Sequence, residues 1–180
     1  MLRYLGVAKK YNLDAIIRVT GDCPIVSYEM SEFLVQRHFE RGNDYTGPKD
    51  YCTGQNSEVY NVNTLKRVME YLGDARHSEY MTWYMITNKD IFQVDMAELP
   101  SQWVRPYRLT LDVQEDLDMF NALFEKLGAK EVSIKNVFNV LEKEPWIHEL
   151  NDAMVLKYKS DKKLIAMLNK ETKIKLPKKQ

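Results

Sequence analysis

Thiols are scarce in this sequence: Cys23 and Cys52 are the only cysteines among 180 residues. Two cannot build a disulfide framework, and neither has partners at zinc-ligand spacing. Both read as reduced thiols. Cys23 is a poor candidate nucleophile, because the adjacent Asp22 carboxylate raises a thiol pKa. Net charge is missing as well, since 26 lysines and arginines balance 26 aspartates and glutamates. With no overall basic field, nucleic acid is not an expected partner. No apolar run approaches the ~20 residues that cross a bilayer, so no membrane segment is expected either. The opening stretch, Met1 to Lys10, is too short and too soon charged for a secretion signal. The cytoplasm is the expected compartment. Internal repeats and low-complexity domains are also absent.

What is present is enough apolar material for a core: 44% of the residues are hydrophobic, in a length typical of one domain. Short β-branched runs alternate with helical spacing. A helix is expected from Met1 to Asn12, then a strand from Ala15 to Thr20, then a helix capped by Ser27 and closed near Gly42. Asp44 to Gln55 is rich in Gly, Pro, Asp and Asn and reads as a loop. Glu58 to Val62 reads as a short strand. Asn63 is expected to cap a helix closed by Gly73, and His77 to Thr87 to form another. Strands are expected at Ile91–Asp95 and Tyr107–Leu111, close enough in sequence to pair antiparallel. A helix with Leu117, Phe120, Phe124 and Leu127 stacked on one side follows. A last helix opens at Ser133 and stops at Pro145. The alternation predicts an α/β domain over residues 1–156, with a mixed, mostly parallel sheet flanked by helices. Residues 157–180 read as a lysine-rich, solvated tail.

The chemistry concentrates in two places. Asp22 ends the run Ala15-Ile-Ile-Arg-Val-Thr-Gly, and Asp112 ends the run Tyr107-Arg-Leu-Thr-Leu. Open α/β sheets bind ligands at the carboxyl ends of their strands. Each aspartate alone also reads as a turn former or, for Asp112 with Glu115 three residues on, as a helix N-cap. Together, two hard oxygen ligands suit a Mg²⁺ ion that keeps water and bridges substrate phosphates. Arg18 and Arg108 sit within strand runs and are candidate anion clamps, the alternative being surface arginines. Arg108 and Asp112, four apart, point to one side under strict alternation. Glu58 can accept hydrogen bonds from a polyol, or be a polar edge residue. Tyr80 and Tyr84 share one helix face, as a packed aromatic surface or a sugar-contacting wall.

Four segments occur in a telling order: Arg18-Val-Thr-Gly-Asp-Cys-Pro-Ile, Ser57-Glu-Val-Tyr-Asn-Val-Asn-Thr-Leu, Glu79-Tyr-Met-Thr-Trp-Tyr, and Tyr107-Arg-Leu-Thr-Leu-Asp-Val-Gln-Glu-Asp-Leu. From about Leu2 to Asn151 the chain resembles the spore-coat polysaccharide biosynthesis protein F group of cytidylyltransferases, relatives of the CMP-Kdo and CMP-sialic acid synthetases. The resemblance implies a nucleotide-diphospho-sugar transferase fold of GT-A/Rossmann-like type. It implies CMP transfer from CTP to a hydroxyl of an acidic or acylated sugar for surface polysaccharide, with Mg²⁺, in a homodimer. It implies Asp22 and Asp112 as the metal-facing catalytic pair, and Gln55, Glu58, Glu79 and Tyr84 near the sugar.

Two departures accompany it. The family's phosphate-gripping loop, Leu-x-x-Arg-x-x-Ser-x-Arg-Leu-x-Gly-Lys, has no counterpart in these residues. The chain is therefore expected to correspond to the C-terminal two-thirds of such an enzyme. It is expected to expose an unpaired sheet edge, and to bind CTP weakly or not at all unless a partner chain supplies the rest. Where relatives carry Glu-His-Val-Thr-Pro-Tyr, this chain has Glu79-Tyr-Met-Thr-Trp-Tyr, without the histidine. The alternatives are a noncatalytic subunit or oligomerisation module, and a metal-dependent glycosyltransferase.

Overall fold

The computed structural model describes residues 1–73, 76–154 and 160–175. Its first turns follow local chemistry. Helix α1 (Leu2–Tyr11) ends on Asn12, held left-handed at φ 51°, and that reversal delivers strand β1 (Ala15–Arg18). Helix α2 (Tyr28–Arg41) begins where the Ser27 hydroxyl accepts the Met30 N–H at 3.1 Å. It stops at Gly42, φ 62°, a conformation that glycine adopts without strain.

Strand β2 (Tyr45–Pro48) lies inside the stretch expected to be loop, and all four of its residues are buried. Gly47 and Pro48 conceal it in the sequence; Pro48, which has no N–H to donate, is the strand's last residue. Strand β3 (Glu58–Asn61) runs directly into α3 (Val62–Leu72), so the N-cap is Asn61 rather than Asn63. Two pieces replace the long helix expected from His77: a 3₁₀ turn (Ser78–Tyr80) and the six-residue α4 (Met81–Ile86). Strand β4 is Val94–Ala97.

The sheet is mixed, in the order β1-β3-β2-β4. β3 pairs antiparallel with both β1 and β2, and β2 pairs parallel with β4. Tyr107–Leu111 is not a ladder strand, and the expected antiparallel pairing with β4 is not formed. The segment meets its surroundings through a single parallel bridge, Thr53 with Arg108. β1 is an edge strand. Ile17 in it and Val19 just beyond are about half exposed.

Strand alternation divides the apolar residues between two cores. Val59 of β3 joins Met30 and Leu34 of α2, Leu109, and residues from α5 (Gln114–Leu127), α6 (Ile134–Lys143) and α7 (Trp146–Glu149). The next residue, Tyr60, joins the other core with Tyr45, Leu65, Val68, Met85 and Phe92. In α5 the buried residues are Asp116, Met119, Phe120, Leu123 and Leu127, while Leu117 and Phe124 are exposed. The expected stack is thus turned by about one residue, because the first buried side chain of the helix is a carboxylate. The helix cap differs as well. Val113 is the N-cap residue, and Asp116, not Glu115, accepts the N–H groups of Asp112 (2.9 Å) and Val113 (3.2 Å).

The C-terminal segment is not simply solvated. Helix α8 (Lys162–Glu171) buries Leu168, and Ile174 beyond it enters the second core. Residues 157–159 and 176–180 of the expected tail, and residues 155–156 before it, lie outside the described residues.

Candidate functional site

A cleft of about 1080 Å³ opens beside β1, β3 and the 107–112 segment. Arg18, Asp22, Glu58, Glu79, Arg108 and Asp112 line it. Gln55 and Tyr84 do not. Gln55 is fully buried behind the wall, where its carbonyl accepts the Ser27 N–H. Tyr84 is also buried, its hydroxyl accepting the His77 N–H at 3.2 Å. Tyr80 stays in the cleft lining, so the two tyrosines do not share a face. The junction between the 3₁₀ turn and α4 lies between them and resets the angular spacing.

Asp22 and Asp112, ninety positions apart, reach the same cleft because the 107–112 segment threads between two loops. The Leu109 N–H donates to the Thr53 carbonyl at 2.7 Å, and the Leu111 N–H to the Asp22 carbonyl at 2.8 Å. The Thr110 hydroxyl donates to the Asp22 carbonyl at 3.3 Å. This threading requires Gly54. Its φ is +95°, and a Cβ there would lie 1.9 Å from the Leu109 carbonyl oxygen.

Asp112 is held at one oxygen. Oδ2 accepts from Arg108 Nη2 at 2.8 Å and from the Thr110 hydroxyl at 3.2 Å. Arg108 is itself fixed by two bonds of 2.7 Å to the fully buried Asp116. The Asn151 amide completes the group, donating to Asp116 at 2.8 Å and to the Arg108 carbonyl at 3.0 Å. Burial alone pushes the Asp116 carboxyl upward. The Arg108 guanidinium, two backbone N–H groups and the Asn151 amide outweigh it and hold the pKa at about 2. Arg108 is therefore a scaffold cation rather than a free anion clamp. Asp116 and Asn151 were not legible as site residues, because their role depends on contacts 8 and 43 positions away.

On the other side, Glu58 is a buried hub. It accepts from Arg18 Nη1 at 2.5 Å, from the Tyr45 hydroxyl at 2.7 Å and from the Thr82 hydroxyl. Arg18 also donates to the Glu79 carbonyl at 3.3 Å. Burial lowers the Arg18 pKa, but the Glu58 charge more than offsets it and the pKa is raised. Burial, then Glu58, pushes the Tyr45 hydroxyl well above its ordinary range. Arg18 is thus a paired residue too, and Glu58 belongs to an inner strand, not an edge. Thr82 was within reach of the sequence, since it keeps the threonine of the Glu-x-x-Thr pattern.

Five carboxylates (Asp22, Asp50, Glu58, Glu79, Asp112) face four cations (Arg18, Lys49, Arg105, Arg108) around the cleft. Each of those cations has a carboxylate partner: Glu58, Glu98, Glu142, and Asp112 with Asp116. Among the described residues no group of three or more His, Cys, Asp or Glu side chains forms a metal cage. Cys23 also lines the cleft. Its thiol pKa is raised by burial first, with the Asp22 charge adding to it. No helix among the described residues is long and apolar enough to cross a membrane.

Known proteins resemble this chain in sequence and fold. The chain is 33% identical over 146 residues to the spore coat polysaccharide biosynthesis protein SpsF of Bacillus subtilis, covering 79% of this chain and 61% of SpsF. It is 29% identical over 150 residues to an uncharacterised protein of Methanocaldococcus jannaschii, covering 83% of this chain and 62% of that protein. The chain thus spans 61–62% of the length of these relatives. It shares its fold with a cytidylyltransferase from Leptospira borgpetersenii, at a TM-score of 0.74 and 24% identity, over 86% of this chain and 66% of the other. The cytidylyltransferase family model matches residues 1–159, and the chain belongs to the cytidylyltransferase family.

Proposed function

We propose that this chain supplies the metal-binding and sugar-facing side of a cytidylyltransferase that activates a sugar of surface polysaccharide as its CMP derivative. In that reaction a sugar hydroxyl oxygen bonds to the α-phosphorus of CTP, and the bond to the bridging oxygen breaks to release pyrophosphate. One observation carries the reading: Asp22 and Asp112 line one cleft, with the 107–112 segment hydrogen-bonded to the Asp22 carbonyl.

The donor set fits Mg²⁺. Two carboxylates without a third acidic partner suit an ion that keeps several waters and takes its remaining ligands from phosphate oxygens. Bound there, Mg²⁺ neutralises charge on the phosphates. The chain's own residues do the positioning. Arg108 and Thr110 fix Asp112 at Oδ2, and Asp112 with Asp22 would hold the ion. Glu58, with Arg18, Tyr45 and Thr82, presents a polar wall to sugar hydroxyls, beside the Glu79 and Tyr80 stretch. Gln55 and Tyr84 act behind that wall, not against the substrate.

The charge balance argues against unaided triphosphate binding. With each described cleft cation already paired, a triphosphate finds little free positive charge among the described residues. The chain alone is expected to bind CTP weakly, and tight binding needs basic groups beyond these paired ones. Assembly as a homodimer, and a location in the cytoplasm where CTP is made, belong to the same reading.

Two measurements test it. Electron paramagnetic resonance titration with Mn²⁺ as the probe for Mg²⁺ should show one site that Asp22→Asn and Asp112→Asn each abolish. Manganese binding indifferent to both changes refutes the metal site. Calorimetric titration with CTP and Mg²⁺ should show no micromolar binding; a micromolar Kd refutes the charge argument. The paired cations also favour a second reading, a noncatalytic subunit of the same fold. That reading expects no Mn²⁺ site at all.

A further inference from the structure

The family match ends at residue 159, yet the segment that follows packs against the outer side of one wall of the cleft. Helix α4 carries Thr82 and Trp83 of that wall, and the 3₁₀ turn before it carries Glu79 and Tyr80. Six residues make barely more than one and a half turns. A helix so short has no stability of its own, and α4 has no side-chain N-cap. Its position must come from tertiary contacts.

On the cleft side those contacts are the Thr82–Glu58 and Arg18–Glu79 hydrogen bonds. On the outer side they come from α8 and the residues after it. Asn169 Oδ1 accepts the Trp83 indole N–H at 3.1 Å. The Thr87 and Thr172 hydroxyls bond at 2.8 Å. Asn88, fully buried, donates to the Thr172 carbonyl and accepts the Ile174 N–H, both at 2.8 Å. Lys173 Nζ caps the Thr87 carbonyl at 3.0 Å and pairs with Asp90 at 2.8 Å.

We propose that residues 160–175 are a strap that positions the Tyr80–Trp83 wall. Asn169 acts through Trp83 as a positioning residue for whatever sugar lies against it. Tyr80 and Trp83 already meet edge to face, with ring centroids 6.1 Å apart. Fixing the indole N–H therefore fixes the pair, and an aromatic surface of set orientation discriminates between sugar rings at low entropic cost. The strap lies outside the family-matched residues, so it tunes the sugar side of a shared site without touching the phosphate chemistry. Only the identity of the ligand rests on the function proposed above; the mechanical role does not.

Asn169→Leu removes the acceptor, and Asn169→Asp keeps one. Both are made in a Trp103→Phe, Trp146→Phe background, in which Trp83 is the only remaining tryptophan. Solvent exchange of the Trp83 indole N–H, followed by NMR, should rise about tenfold in the Leu variant and stay low in the Asp variant, as expected when a protecting hydrogen bond is lost locally. Binding of CMP-N-acetylneuraminate and of CMP, each with Mg²⁺, gives the second readout. The Leu variant should weaken the CMP-sugar by about fivefold, the scale of one lost hydrogen bond, and leave CMP unchanged; the Asp variant should restore it. Unchanged indole exchange in the Leu variant overturns the proposal. So does equal weakening of both ligands, which marks the strap as a general stabiliser. If the parent protein binds neither ligand, as the weak nucleotide binding expected above allows, the exchange measurement alone decides the strap, and the Mn²⁺ titration alone decides the proposed function.

Discussion

Arg108 and Asp116 form a fork-to-fork ion pair, two parallel hydrogen bonds of 2.7 Å with the carboxylate fully buried. Everything that orients Asp112 hangs from this pair, since the same guanidinium supplies the 2.8 Å bond to Asp112 Oδ2. Its pH dependence has a definite sign. The folded Asp116 pKa of about 2 lies below the ordinary value of 3.8, so the pair stabilises the fold fully above about pH 4. That contribution is lost as pH falls from about 4 towards 2. Asp116→Asn leaves Asp112 as the remaining counter-charge of the Arg108 guanidinium and should cost about 3 kcal/mol at pH 7. It should also flatten stability between pH 4 and 2. Urea unfolding across that range checks both.

The Arg18–Glu58 pair behaves in the same way on the other wall. Glu58→Gln leaves Arg18 without its counter-charge and should destabilise by about 3 kcal/mol. Tyr45→Phe removes only one of the donors to Glu58 and should cost about 1 kcal/mol. A double-mutant cycle between Arg18→Met and Glu58→Leu should show a large coupling, with the double variant less destabilised than the sum of the singles. Additive losses would show that the two side chains do not act as a unit.

Gly54→Ala should be among the most damaging small substitutions in the chain. It combines a φ of +95° with a Cβ placed 1.9 Å from a backbone oxygen. The left-handed strain alone costs about 1–3 kcal/mol, and the clash can be relieved only by moving the Leu109 backbone. The expected result is a fall in stability of about 2 kcal/mol or more. Loss of the Mn²⁺ signal should accompany it, because the same shift carries Asp112 away from Asp22. Denaturant titration and manganese binding measured on one preparation check the link.

Cys23 reports on Asp22. Burial and the neighbouring carboxylate both raise the thiol pKa, so alkylation by iodoacetamide should be slow at pH 7 and quicken only as pH rises past the ordinary thiol range. Asp22→Asn removes one of the charges that raise it and should move the rate profile to lower pH. Mg²⁺ bound beside Asp22 should move it the same way. A profile unmoved by Asp22→Asn shows that the Asp22 charge does not act on the thiol.

The sequence by itself determined the local events. The Ser27 cap, the Asn12 and Gly42 reversals, β1, β3 and the Ser133 helix start follow from residues within a few positions of one another, as do the four ordered segments that place the chain in its family. Local chemistry also kept Arg108 and Asp112 on one side, because four positions along an extended segment preserve the side-chain direction. Tertiary structure decided the rest. β2 exists only because β3 and β4 flank it, which outweighs its Gly-Pro composition. Tyr107–Leu111 lost its place in the ladder because Thr53 and Asp22 offered its N–H groups carbonyl partners in loops. Arg18 and Arg108 became paired scaffold cations because their carboxylates arrive from 40 and 8 positions away. α8 docked because the buried Asn88 finds Thr172 and Ile174, 84 and 86 positions away, just beyond that helix. Hydrogen-bond partners for buried polar groups must be found wherever the fold puts them, and a linear chain does not record that distance.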